Sequence, residues 1–258
     1  MKIKSEFLRK EMAQESRPQF DAKWSVLTNP EKRNFWEDSE SFATGEHEVG
    51  QLILTLQGLG YPKLFKNALD FGCGVGRLTL PLSHRFENTW GIDISAPMLE
   101  QAKANVPRAR FLLNDKNRIA FADGTFDLVY TALVLQHLPH PRLVSGYIAE
   151  FLRIIGTRGI AVFHVPTHVE LIHRIQPRRR LYTLLRTCGI EPTRLVSLSL
   201  TPMHVTGLPE KRILEIVRGS SCRIIHVDNE SHPVRGTISK TFYVVGGCQA
   251  GYLRHSAT

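Results

Sequence analysis

Cysteine is scarce in this chain of 258 residues. The four that occur, Cys73, Cys188, Cys222 and Cys248, include no Cys-x-x-Cys pair. That scatter excludes a zinc site built on paired cysteines and a disulfide framework, and it fits a reducing compartment. No metal site is expected. Long apolar runs are also missing, since none reaches the ~18 to 20 residues that span a bilayer. The opening Met1-Lys2-Ile3-Lys4-Ser5-Glu6 lacks the apolar core of a secretory signal. An unexported, cytoplasmic protein with no membrane span is the expectation. No glycine-rich stretch ends in Gly-Lys-Ser/Thr, which excludes a P-loop. Acidic residues are outnumbered, 24 against 33 Lys and Arg, for a formal charge of +9. Apart from Arg178-Arg179-Arg180 the basic residues are dispersed, so a solvated basic surface is favoured over a nucleic-acid footprint.

What the chain does have is a concentration of glycine behind one apolar run. Ala68 to Phe71 carries a single acid, Asp70. Gly72, Gly74 and Gly76 alternate after it, and a helical pattern of Leu78, Leu80 and Leu82 begins where they stop. This reads as strand, glycine turn, helix. Glycine lets the backbone take positive φ and lets a ligand approach closely, and the free N–H groups opening the helix then face that ligand. Asp93 ends the next apolar segment, where an acid at the carboxyl edge of a parallel sheet can accept both hydroxyls of a ribose. A carboxylate at Asp70 repels a diphosphate and suits a cationic ligand. The spacing is also not the Gly-x-Gly-x-x-Gly of nicotinamide dinucleotide sites.

Strand and helix patterns alternate along the middle of the chain. Glu46 to Gln57 places Val49, Leu52, Ile53 and Leu56 at helical spacing, closed by Gly58 and Gly60. Strands are expected over Thr89–Asp93, Arg110–Leu113, Phe126–Tyr130 and Ile160–His164. Ser95 reads as a helix N-cap with Pro97 in the first turn. Leu143, Val144, Tyr147, Ile148, Phe151, Leu152 and Ile155 form an amphipathic helix before the fifth strand. Such alternation means an α/β fold, a parallel sheet with helices on both faces, and its ligand crevice lies outside the carboxyl ends of the strands. Gly72, Asp93, Asp115 and Thr131 all fall on that edge. Pro209 to Arg218 reads as a further helix, and Cys222–Val227 and Thr241–Val245 as a closing antiparallel hairpin. Residues 1–45, with Phe20, Trp24, Phe35, Trp36 and Phe42, are expected to form a helical flap docked on the domain 46–258.

The glycine string and the acid before it resemble the first motif of the class I S-adenosylmethionine-dependent methyltransferases, apolar-apolar-Asp/Glu-apolar-Gly-x-Gly-x-Gly. The likeness continues in Phe111 to Asp127, in Leu133 to Leu138, and in Arg153 and Gly159 of the turn before the fifth strand. Ala120 stands where the family usually has proline, and Lys116-Asn117 replaces a commoner small-acidic pair. The resemblance implies a Rossmann-like, seven-stranded, mostly parallel sheet whose last strand is antiparallel. It implies S-adenosyl-L-methionine as cofactor, held by Asp70, Gly72, Cys73, Gly74, Gly76, Asp93, Ile94, Met98, Asn114, Asp115, Lys116 and Thr131. Asp115 takes the place of the acid beside the adenine amino group.

A methyl group on a sulfonium leaves by in-line displacement from a neutral leaving group, so positioning supplies most of the catalysis, roughly 7 to 11 kcal/mol. A base helps only when the acceptor is a hydroxyl or an acidic carbon. His137, His164 and His204 are the candidates, each with an ordinary packing or surface role as the alternative. Asp127, opening the fourth strand, is expected to cap a turn. The expected function is methyl transfer to a small-molecule or sugar-like acceptor, by O-methylation. An RNA or protein methyltransferase and a non-catalytic cofactor-binding protein are the alternatives, with nucleic acid the less favoured partner because no RNA-binding module is recognisable. Residues 168–207 form an insertion outside the resemblance, expected on the substrate side. There Arg178, Arg179, Arg180 and Arg186 would meet an acidic acceptor while Leu181, Leu184 and Leu185 pack inward, and Leu195 to Gly207 reads as β-rich.

Overall fold

The computed structural model describes residues 38–170, 175–191, 194–195, 198, 200, 205–229 and 237–247. The first helix, α1 (Asp38–Leu59), starts earlier than the apolar spacing alone marks, and Gly60, in the left-handed region, ends it. Its Val49, Leu52, Ile53 and Leu56 are all buried, each worth about 1.5 to 3 kcal/mol. Residues 1–37 of the expected flap lie outside the described residues.

Seven strands follow: β1 (Asn67–Phe71), β2 (Asn88–Asp93), β3 (Arg110–Leu113), β4 (Phe126–Thr131), β5 (Ile155–Val169), β6 (Arg223–Asn229) and β7 (Thr237–Val245). They form one sheet in the order β3-β2-β1-β4-β5-β7-β6. The pairs β3·β2, β2·β1, β1·β4 and β4·β5 are parallel, and β7 runs antiparallel to both its neighbours. The expected sheet and closing hairpin are therefore both present. Between strands lie α2 (Thr79–Ser83), α3 (Ala96–Asn105), α4 (Pro141–Ile154) and α6 (Glu210–Arg218), with α5 (Pro177–Thr187) in the insertion.

The sheet separates two cores. On one face Phe71, Val129, Ile148, Phe151, Phe163, Ile213 and Val217 join α4 and α6 to the strands. On the other, Leu56, Ala68, Leu82, Leu128, Tyr130 and Val162 join α1 and α2. Parallel strands covered on both faces are what a near-continuous apolar run such as Leu128-Val129-Tyr130 requires.

β5 is longer than the pattern Ile160–His164 predicts. Thr131, the last residue of β4, pairs with Phe163, so His164 to Val169 project beyond β4 and pair with β7 instead. Of the expected β-rich passage Leu195 to Gly207, the described residues contain no strand. Asp127 takes its structural role, accepting the backbone N–H groups of Lys66 and Asn67 at 3.1 and 2.9 Å and fixing the start of β1. No helix among the described residues is long and apolar enough to cross a membrane.

Candidate functional site

The glycine turn leaves the carboxyl end of β1 between β2 and β4, so whatever the turn holds sits at the middle of the sheet edge. Gly72, Gly74 and Gly76 all have positive φ, +76°, +53° and +93°. At Gly72 a second constraint applies, because a Cβ there would run into the side chain of Val134. Asp93 ends β2 and reaches across to the turn. Its Oδ2 accepts the N–H of Gly74 at 2.9 Å and its Oδ1 the N–H of Ser95 at 2.8 Å. Each oxygen keeps a further lone pair for a ligand. Burial raises the Asp93 pKa, opposed by those backbone donors. Ser95 is the N-cap of α3, as expected, though its hydroxyl makes no capping hydrogen bond.

Behind the turn lies a buried polar network. Asp70, 1% exposed, accepts the hydroxyl of Thr79 at 2.6 Å. Its carboxyl is pushed up to about 7, chiefly by burial. Arg77, 4% exposed, donates to Glu48 at 2.8 Å, and the Tyr130 hydroxyl donates to the other oxygen of Glu48 at 2.8 Å. One side chain of α1 thus ties the glycine turn to β4.

Phe71, Gly72, Ile92, Asp93, Ile94, Asn114, Val134, Leu138 and Tyr147 line a cavity of about 70 Å³ at this edge. Small-molecule pockets run to about 300 to 1,000 Å³, so a nucleoside must displace Val134 or lie across the cavity mouth. The floor is aromatic, with the Phe71 and Tyr147 rings 4.7 Å apart. The Tyr147 hydroxyl donates to the carbonyl of Lys116 at 3.0 Å, and Asn114 donates to the same carbonyl at 3.1 Å, holding the loop after β3 in place. Burial, with Asp115 beside it, pushes the tyrosine up to about 12.

Of the residues expected to hold a cofactor, Gly72, Asp93, Ile94 and Asn114 line this cavity. Asp115 and Lys116 continue its loop, and Met98 is half-buried on the first turn of α3. Asp70 and Cys73 are buried behind it, and the Cys73 thiol is raised well above its usual value by burial and the neighbouring carboxyls. Gly74 and Gly76 shape the turn. Thr131 is 1% exposed at the end of β4, with a hydroxyl that has no hydrogen-bond partner among the described residues. An orphaned buried hydroxyl costs about 1 to 3 kcal/mol, which a ligand at that edge can recover.

The histidines behave differently. His137 closes the 3-10 turn Leu135–His137 with its Nε2 3.2 Å from Gln136 Nε2, and His164 is buried within β5. Neither lines the cavity. His164 was expected at a strand end; the extension of β5 to Val169 encloses it instead. His204 lies outside the described residues. Sequence reasoning missed Phe71, Ile92, Val134, Leu138 and Tyr147 as walls. For Tyr147 a signal existed, a polar-tipped ring on the inward face of an amphipathic helix.

The insertion returns to the sheet beside this site. The N–H of Thr206 donates to the carbonyl of Gln136 at 2.7 Å, and that of Leu208 to the carbonyl of Pro166 at 2.8 Å. Within it, of the three leucines of α5 expected to pack inward, only Leu185 does, half-buried against the small core. Tyr182 is the buried residue, while Leu181 and Leu184 are 45% and 60% exposed. A tyrosine ring covers more of the small core of Leu195 and Leu200 than a leucine does, and it sets the phase of the helix. Among the described residues no cluster of His, Cys, Asp and Glu could hold a metal.

Residues 69–163 match a family model described as a methyltransferase domain. Trans-aconitate 2-methyltransferase of Deinococcus radiodurans is 37% identical over 125 residues, 46% of this chain and 46% of that protein. Malonyl-[acyl-carrier protein] O-methyltransferase of Salmonella typhimurium is 29% identical over 118 residues, 46% and 44% respectively. The chain thus spans less than half the length of these curated relatives. The crystal structure of magnesium protoporphyrin IX methyltransferase from Synechocystis PCC 6803 with bound SAH aligns over 94% of this chain and 99% of that one, with a TM-score of 0.59 at 18% identity.

Proposed function

Residues 69–163 form a class I S-adenosylmethionine-dependent methyltransferase domain, and from that premise we propose that the protein transfers a methyl group from S-adenosyl-L-methionine to an oxygen of a small acidic molecule. The observation that carries the cofactor half is Asp93, pinned by two backbone N–H groups with acceptor capacity remaining on both oxygens. It would take the ribose hydroxyls. Asn114 and Asp115 would stand at the base, and Asp70 and Thr131 at the charged amino-acid end. The residues fit that group: a buried hydroxyl lacks a partner among the described residues, and a carboxyl raised to about 7 is stabilised once a cation lies near it. When bound, the cofactor supplies an electrophilic methyl on a sulfonium.

The protonation chemistry of the walls supports the choice of acceptor class. Among the described residues lining the cavity there is no histidine or lysine, and Tyr147 is held protonated at neutral pH. A sugar-like hydroxyl needs a base, whereas a carboxylate is already a nucleophile and needs only alignment. Relatives named for trans-aconitate and for a malonyl group, both carboxylic acids, support the same choice. The insertion, anchored on Gln136 through Thr206, would border the acceptor.

Calorimetry with S-adenosylmethionine and S-adenosylhomocysteine tests the first half, with a nicotinamide dinucleotide as control. Heat from the control alone would overturn the cofactor assignment. Label transfer from methyl-labelled cofactor to a panel of small di- and tricarboxylic acids, with sugars and RNA in parallel, tests the second. Label on sugar or RNA and none on the acids would replace the acceptor class.

A further inference from the structure

Helix α5 shows its two sides to different surroundings. Tyr182 is buried and Leu185 half-buried against Leu195, Leu200 and Ile190. On the adjoining row Pro177, Leu181 and Leu184 recur at i, i+4 and i+7, which is one stripe of a helix with 3.6 residues per turn. All three are exposed. By the same geometry Arg180 flanks the stripe on its solvent side, and Arg178 heads the row of Tyr182 and Leu185 at the exposed first turn of the helix. Both are exposed, and among the described residues neither is in an ion pair.

The charge is concentrated here as nowhere else. Residues 171–190 contain Arg174, Arg178, Arg179, Arg180 and Arg186 and no Asp or Glu, a formal +5 within a chain of net +9. Four of the large apolar side chains that remain exposed, Ile175, Leu181, Leu184 and Leu198, also belong to this one insertion.

We propose that the outer face of α5 docks on an anionic membrane surface, with the leucines entering the headgroup boundary and the arginines meeting lipid phosphates. A soluble acidic ligand accounts for the arginines but leaves the leucine stripe in water. An apolar groove on another protein accounts for the leucines but sets Arg178 and Arg180 against its walls. A second copy of this chain would bring like charge against like. An anionic interface takes both features, because arginine stems run along an apolar layer while their heads stay in the polar one. With only two leucines the contact is weak and reversible, so it depends on lipid charge and on salt. The inference is independent of the acceptor, since the stripe lies outside the cavity.

Flotation of the full-length protein with vesicles decides it. One set is phosphatidylcholine alone, the other an equal mixture with phosphatidylglycerol. Recruitment to the anionic set should exceed that to the neutral set by roughly tenfold or more at low salt and fall away at high salt. Leu181→Ser with Leu184→Ser should abolish recruitment, and so should Arg178→Gln with Arg180→Gln. Thermal midpoint and S-adenosylhomocysteine binding, measured on the same preparations, should stay unchanged, which separates lost docking from lost folding. Equal recruitment to both vesicle types, recruitment that survives either pair of substitutions, or none at all overturns the proposal. In the last case retention on an immobilised acidic protein would assign the face to a protein partner instead.

Discussion

The edge built by residues 67–138 and the insertion of residues 168–207 are joined by the hydrogen bond from Thr206 to Gln136, and they are constructed on different principles. At the edge the charged groups are held by several elements at once. Asp93 is fixed by β2, the glycine turn and the start of α3, and Glu48 joins Arg77 to Tyr130 across three elements. Among its described residues the insertion has a small core of Tyr182, Leu195 and Leu200 and leaves Leu181, Leu184 and Leu198 exposed. The first arrangement serves a ligand of fixed shape, which rewards preorganisation. The second tolerates change, as a segment that adapts to an acceptor or a surface must.

Glycine sharpens that contrast most strongly. Gly72 and Gly189 both have positive φ, +76° and +86°, but a Cβ at Gly72 collides with Val134 and one at Gly189 meets nothing within 4 Å. Gly72→Val should cost about 2 to 5 kcal/mol of stability, overpacking added to backbone strain, and should abolish cofactor binding. Gly189→Ala should cost about 1 kcal/mol through backbone strain alone and leave binding intact. Urea unfolding and calorimetry on both variants check this. Equal costs would show that the two regions are not differently constrained.

Next in size is Asp93→Ala, expected to weaken S-adenosylmethionine by about 1.5 to 3 kcal/mol, the range for hydrogen bonds to a charged group. Unaltered affinity by titration would move the ribose elsewhere.

A smaller effect should appear with pH. Burial pushes the Asp70 carboxyl up to about 7, above its unfolded value, so the folded state holds the extra proton between the two. Its contribution to stability is therefore present at low pH and lost as pH rises through about 7. Ligand binding has the opposite sign. A cation beside Asp70 favours the ionised form, so affinity should climb by up to tenfold per pH unit below 7 and level off above it. Asp70→Asn should flatten that slope, and a slope unchanged in the variant would assign it to another group.

The edge was largely legible in the sequence because its signals are local. Glycines alternating behind an apolar run, and an acid closing the next run, report a backbone geometry that neighbouring residues already determine. The cavity walls were not legible in that way. Val134 and Leu138 enter from the turn after β4, and Tyr147 from the inward face of α4, so their shared position exists only once α4 has docked. In α5 the spacing of leucines was a poor guide. Leu181 and Leu185 are four apart, and Leu184 completes a plausible inward stripe, but the core available to the helix is small and the Tyr182 ring fills it. Periodicity states which residues share a face and not which face is covered.

That ambiguity sets the smallest expected effect. If α5 contributes stability only through its Tyr182 side, then truncating the outer leucine removes nothing that folding had buried. Leu184 is 60% exposed and Leu56 is fully buried in the core under α1. Leu56→Ala should destabilise by about 2 to 5 kcal/mol, the sum of lost transfer energy and a cavity. Leu184→Ala should stay within about 0.5 kcal/mol of the parent, as surface substitutions do. Tyr182→Ala should fall between them, because a three-residue core relaxes more readily than a sheet-backed one. Chemical denaturation of the three variants orders them. A loss at Leu184 comparable to that at Tyr182 would mean that the outer face of α5 is covered in solution by the chain itself, and the leucines would then have an intramolecular role.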